Sequence, residues 1–181
     1  MAAPRAPLAV FPRRRKPAEM PEQFTAAKQP SDSAQVDVRG PRFAAWVTTA
    51  VLVAVLVLAA VSTPAAATLL GVQALVFAAS AYAGPRRSPY GRIFALLVAP
   101  RIGPATEREP VAPLRFAQLV GFLFAAAGFV GFLLGAPVAG AVFAGFALFA
   151  AFLNAAFGIC LGCLAYPLVS RLVRRQHPST A

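Results

Sequence analysis

The sequence is short of nearly everything a water-exposed surface requires. Only 13% of its 181 residues are charged, just six are acidic and one is histidine. The shortage is also local: no Asp, Glu, Lys, Arg or His occurs from Phe43 to Ala83, nor from Phe116 to Ser170. A soluble domain of this length needs a charged, mixed surface, so that class is excluded. A single His excludes a multi-histidine metal centre within one chain. Two Cys, three residues apart, cannot build the disulfide framework of a small secreted domain. Ion-driven transporters and channels usually carry charged or ionisable groups along their pathway, and the apolar stretches hold none. Gly-rich phosphate loops, catalytic triads and paired carboxylates are missing too. No cofactor and no metal is therefore expected, and whether the protein is an enzyme stays open.

What the sequence has is apolar length: 59% of it is hydrophobic and its mean hydropathy is +0.68. A spanning helix needs about 20 apolar residues, so each uncharged stretch holds two. The turns fall at Ser62-Thr63-Pro64 and Gly135-Ala136-Pro137, since proline cannot continue a helix but suits the first turn of the next. The fold class that follows is an all-α membrane protein, a four-transmembrane-helix bundle built from two helical hairpins. The helices are expected at about residues 43–61, 65–83, 116–134 and 138–157, the last with an apolar extension to about 169. Residues 1–36, rich in proline and basic groups, read as a disordered tail; 37–170 form the membrane domain and 171–181 a second basic tail. Residues 84–114 form a polar connection in which Arg92–Val98 is too short to span. That segment is expected as an interfacial helix, with Arg92 and Arg101 snorkelling at either end.

All 17 Lys and Arg lie in the two tails and the central connection, and both short turns are uncharged. With four helices those three regions share one side, which the excess of cations makes cytoplasmic. The expected location is the cell (inner) membrane, with both termini in the cytoplasm. The net charge of +11 fits anionic lipid headgroups and topology signals better than nucleic acid. Arg13-Arg14-Arg15-Lys16 lacks the nearby apolar stretch that a twin-arginine export signal needs. Met20 stands beside Met1 as a possible start.

The two hairpins resemble each other. Arg42-Phe43-Ala44-x-x-Val47 recurs as Arg115-Phe116-Ala117-x-x-Val120, and Ser80-Ala81-Tyr82-Ala83-Gly84 parallels Asn154-Ala155-Ala156-Phe157-Gly158. Duplication predicts two halves related by an axis along the membrane normal. On this alignment Arg86 and Pro89 fall opposite Cys160 and Cys163.

Cys160-Leu161-Gly162-Cys163 is the sharpest candidate for chemistry. Two thiols at this spacing can close a disulfide within one turn, pass a persulfide sulfur, ligate a metal shared between protomers, or simply pack as small residues. If Gly158 breaks helix four and a new helix starts near Cys160, unpaired amides there favour the thiolate of the first cysteine. The reducing cytosol argues against a permanent structural disulfide. Asn154, an amide inside the last helix, should face the bundle interior, either bridging helices or supporting the cysteines. Gln73 and Gln118 are similar. Gly121, Gly128, Gly131 and Gly135, with Gly140 and Gly145, permit close helix approach, chiefly between helices three and four, with a homo-oligomer through the helix-three glycines as the other use.

At Val36-Asp37-Val38-Arg39-Gly40-Pro41-Arg42-Phe43, Gly84-Pro85-Arg86-Arg87-Ser88-Pro89-Tyr90 and Asn154–Cys163, the chain resembles the bacterial membrane family known as domain of unknown function 4395, over about residues 36–167. The resemblance implies a small multi-pass membrane protein with a terminal Cys pair. It also implies association with thioredoxin-like and sulfurtransferase proteins, which favours a thiol or sulfur relay.

The leading functional expectation is a membrane-anchored dithiol that exchanges electrons or sulfur with a cytosolic thioredoxin-like or rhodanese-like partner. Cys160 would attack, Cys163 would resolve, and Asn154 would support them. The alternative is a non-catalytic membrane subunit or scaffold that organises partner proteins. A small-solute transporter ranks third and requires a polar cavity between the hairpins.

Overall fold

The computed structural model describes residues 35–103 and 107–176. Most of the amino-terminal tail expected over 1–36, the alternative start at Met20 and the last five residues lie outside the described residues.

Four long helices form a membrane-spanning bundle: α1 (Arg39–Val61), α2 (Thr63–Ala83), α5 (Val111–Leu133) and α6 (Pro137–Phe157). Each has 21 or 23 residues, or about 32–35 Å at 1.5 Å per residue, which matches a hydrocarbon core. Their outward faces carry Trp46, Val57, Leu75, Phe146 and Phe149, all more than half exposed, as lipid contact allows. The inward faces bury Leu52, Val55, Ala66, Leu70, Ala125 and Ala144 completely. Hydroxyls inside the bundle turn back on their own helices: Thr49 donates to the Ala45 carbonyl (2.8 Å) and Ser80 to that of Val76 (2.7 Å). Helix three uses its glycines within the chain. A methyl group added at Gly131 would stand 2.9 Å from the Gly140 nitrogen, and one at Gly128 would stand 2.9 Å from Leu70 Cδ2. A methyl group added at Gly135 would meet nothing within 4 Å.

α1 and α5 begin four or five residues before the first apolar residue of their stretches. Pro41 and Pro113 both sit in the first turn, where the missing N–H has no helical partner to lose.

The polar connection forms α3 (Pro89–Ile93), a π-helical turn (Phe94–Val98) and α4 (Ala99–Ile102), one short helical run at the base of the bundle. Pro100 explains the widened turn: its ring would clash with a regular α-helical ladder, and the Ala99 N–H bonds instead to the Phe94 carbonyl, five residues back. Tyr90 reaches from α3 into the bundle, where its hydroxyl donates to Gln73 Oε1 at 2.7 Å. Two strands, β1 (Gln35–Asp37) and β2 (Arg108–Pro110), pair antiparallel. Neither was expected, because three-residue strands leave no alternation to read and the partners lie some 70 residues apart.

The two halves are built alike, as β1–α1–α2–α3 and β2–α5–α6–α7, where α7 is Leu161–Gln176. α1 and α5 have 23 residues each, α2 and α6 have 21 each. The strand register is symmetric, with Val36 facing Glu109 at the centre and Gln35↔Pro110 and Asp37↔Arg108 flanking it. A two-fold axis between equivalent strands produces this pattern. Phe43 and Phe94 stack at 5.8 Å, and their counterparts Phe116 and Tyr166 stack at the same separation. Arg115 donates from Nε to the Ala81 carbonyl (2.7 Å) and from Nη2 to that of Tyr82, at the carboxyl end of α2. Its counterpart Arg42 lies against Gly158, at the carboxyl end of α6. Each arginine thus places a cation where a helix dipole is negative.

Candidate functional site

The site is made where α6 stops. Gly158 adopts φ +71°, a left-handed conformation that glycine takes without strain, and its N–H bonds to the Asn154 carbonyl (3.1 Å) while that of Ile159 bonds to Leu153 (3.2 Å). The chain then turns sharply and restarts as α7. Cys160 is the residue before the first turn of that helix, its carbonyl accepting from Leu164 N–H at 3.0 Å. Its Sγ accepts from the Cys163 N–H at 3.3 Å, the geometry in which a Ser or Asp side chain caps a helix. Cys160 and Cys163 are joined as a disulfide, with Cα atoms 5.2 Å apart. Between them Gly162 lies flush against α5, where any side chain would meet the Ala117 backbone.

The equivalent position in the first half is Ser88. Its Oγ accepts from the Gly91 N–H at 2.9 Å and caps α3. The sequence alignment of Arg86 and Pro89 with the cysteines is therefore off by two residues: Ser88 and Gly91 are the counterparts. The link before the short helix runs Gly84–Arg87 in the first half but only Gly158–Ile159 in the second, and a constant offset cannot follow that shortening.

Cys160 borders two spaces. One is an apolar chamber of about 510 Å³ in the half of the bundle nearest the base, walled by α1, α2, α5, α6 and the start of α7. Its polar lining besides Cys160 consists of Thr48, Gln118 and Asn154. The other is an interfacial cleft of about 470 Å³ lined by both cysteines, Gly158, Ile159 and Glu109. Across the shared wall of Pro41, Ala44, Thr48, Leu114 and Gln118 lies a third space of about 330 Å³. It is the more polar of the two, with Asp37, Ser80, Arg86, Ser88, Tyr90 and Arg108 among its lining residues. The duplicated frame thus carries a thiol-capped apolar chamber on one side and a hydroxyl-capped, more polar chamber on the other.

The structure therefore brings together Cys160, Cys163 and Asn154, and adds Gln118. Gln73 is elsewhere, 1% exposed and held by Tyr90. Glu109 was missed, because β2 carries it and nothing in the sequence ties that strand to the cysteines. Burial holds the Glu109 carboxyl above its ordinary range, nearby Glu107 adds to this, and Arg42 partly offsets it. The sign follows from favouring the protonated form in the fold: its stabilising share is present in acid and is lost as pH rises through the folded pKa. The melting temperature should therefore fall through this residue as pH rises from acidic to neutral. Glu109→Gln should remove that component; an unchanged pH profile of thermal unfolding in detergent would show Glu109 to be solvated.

A family model described as Domain of unknown function (DUF4395) matches residues 36–171. No curated protein and no solved structure matches the chain.

Proposed function

For a chain that belongs to the family Domain of unknown function (DUF4395), we propose a membrane-anchored dithiol–disulfide pair that exchanges with a thioredoxin-like protein at the cytoplasmic face. The observation that carries this function is the cap: Cys160 Sγ sits on the Cys163 N–H at the start of α7, facing an interfacial cleft. A thiolate at Cys160 attacks the partner's disulfide, forming a mixed disulfide and releasing one partner thiolate. Cys163, losing its proton, then attacks the Cys160 sulfur. The partner's second thiolate leaves, the Cys160–Cys163 disulfide closes, and the partner departs as a dithiol. Glu109 lines the same cleft as Cys163 and is the carboxylate there that can take up the Cys163 proton. With a rhodanese-like donor the same geometry carries sulfur: Cys160 receives a persulfide and Cys163 displaces hydrosulfide from it. Asn154 supports the pair from the chamber side.

Removing the resolving thiol tests this. In cells, Cys163→Ser should accumulate a mixed disulfide or persulfide on Cys160, seen by mass spectrometry after acid trapping. Cys160→Ser should accumulate neither. If neither variant carries an adduct, the exchange function fails. The scaffold alternative predicts that a double Cys→Ser variant keeps its function and its co-purifying partners. The polar chamber favours a further reading, binding of a small solute between the hairpins. Solute binding would likewise survive loss of both cysteines.

A further inference from the structure

The disulfide is reachable from the wrong side for a purely aqueous relay. Cys160 forms part of the wall of the interfacial cleft and also of the apolar chamber. That chamber lies among helix segments that cross the membrane, and its rim includes Phe146 and Phe149, whose side chains are 55% and 58% exposed on the lipid face of α6. A hydrophilic oxidant has no favourable path through it. An occupant must enter from lipid, fill about 510 Å³, which is within the range of small-molecule sites, and meet the carboxamides of Gln118 and Asn154. Neither side-chain amide is hydrogen-bonded to another residue among those described. A hydrocarbon tail alone would leave these donors unmatched in a low-dielectric site. The other half of the molecule sharpens the point. There the same frame has Ser88 in place of Cys160, and its chamber is lined with charged and hydroxyl groups. Apolar lining and thiol occur together, on one side only.

We propose that the apolar chamber binds a lipid-soluble quinone, which serves as the two-electron acceptor for the Cys160–Cys163 dithiol. This inference rests on the dithiol function and names its second reactant. The step balances. Two S–H bonds break and one S–S bond forms, while two electrons and two protons pass to the quinone oxygens, which leave as a hydroquinone. Gln118 and Asn154 donate to the quinone carbonyls, and Cys160 is the sulfur nearest the ring. The exchange with the soluble partner, run in the opposite direction so that a partner dithiol reduces the Cys160–Cys163 disulfide and leaves as a disulfide, supplies the two electrons that pass into the membrane.

The test uses the full chain, reduced, in lipid nanodiscs, with decylubiquinone as one oxidant and oxidised glutathione as the other. Thiol loss is followed by maleimide gel shift and quinone reduction by ultraviolet absorbance. The wild type should oxidise with both, consuming one quinone per dithiol. Ala151→Trp, which fills the chamber, should slow the quinone reaction at least tenfold and leave glutathione oxidation unchanged. Asn154→Leu keeps the γ-branched shape but removes the amide, and should raise the quinone concentration needed for half-maximal rate. Oxidation by glutathione but not by quinone overturns the inference and leaves the dithiol function standing. Equal quinone rates in the wild type and Ala151→Trp overturn it as well, and would mean that quinone reaches the thiols through the interfacial cleft. Should neither oxidant close the disulfide, both the inference and the dithiol function fall.

Discussion

Gly162→Ala should release α7 from the bundle. A methyl group there would stand 2.5 Å from Ala117 Cα and 2.6 Å from its Cβ, inside any tolerable contact. Both neighbours belong to a helix packed on two others, so neither can swing aside as the end of a long side chain can. Overpacking of this kind costs about 1–3 kcal/mol, and the helix it strikes has little else to hold it. α7 touches α6 only slightly and relies on α5, chiefly through this glycine and the Phe116–Tyr166 pair. The expected result is proteolysis at Arg171 in the variant under conditions that leave the wild type intact, with loss of quinone-side access to Cys160. Ala117→Gly in the same chain removes one of the two clashing atoms and should restore part of the protection. A Gly162→Ala protein as resistant as the wild type would mean that α7 does not pack on α5 through this residue.

The consequence reaches beyond stability, because Gly162 lies inside the dithiol sequence itself. The two residues between the cysteines set how closely α7 approaches α5, and so whether the Cys160 sulfur borders the chamber at all. One small residue therefore serves both the packing of the bundle and the geometry of the reactive pair.

How far the sequence carries one depends on whether a feature is local. Charge-free stretches are local statements about solvent, and from them the four helices and two hairpins followed directly, while the family came from short motifs such as Asn154–Cys163. Gly158 was legible as a helix break because a glycine between an apolar helix and a Cys pair has few other uses. The β1–β2 pair was not legible: Val36 faces Glu109 across 73 residues, and three-residue strands have no period. The repeat was visible in Arg42-Phe43 and Arg115-Phe116, whose roles at the opposite helix ends proved equivalent. Its continuation into the short helices was misaligned, since the shortened link shifts the register from Arg86 and Pro89 to Ser88 and Gly91. The chambers were invisible for a deeper reason. Ala, Phe and Gly dominate both the packed interior and the cavity wall, and only the packing decides which of them leave space between them.

Of the two thiols, that of Cys160 should be much the more reactive in the reduced protein, and the cap predicts by how much. In Cys163→Ser the remaining Cys160 Sγ still receives the residue-163 N–H, as the disulfide-bonded sulfur does at 3.3 Å. It also lies at the positive end of the α7 dipole. A hydrogen bond to a charged group contributes about 1.5–3 kcal/mol and a helix terminus about 0.3–1 kcal/mol at an exposed site. A combined stabilisation of about 2 kcal/mol raises the thiolate fraction at neutral pH by roughly twentyfold, from the few per cent of an ordinary thiol. The stabilised anion is a weaker nucleophile, with a Brønsted slope near 0.4–0.5, which takes back about a factor of five. In Cys160→Ser the lone Cys163 thiol sits within the first turn, where its sulfur has no such cap. Iodoacetamide should therefore alkylate Cys163→Ser about fourfold faster than Cys160→Ser at neutral pH, and the order should reverse above pH 9, where both thiols ionise and the more basic Cys163 thiolate is the better nucleophile. The two rates are measured on reduced protein in detergent, with a denatured sample of each variant as the reference. Equal rates at neutral pH, or a faster Cys163, would reverse the attacking and resolving roles and leave the cap without a chemical purpose.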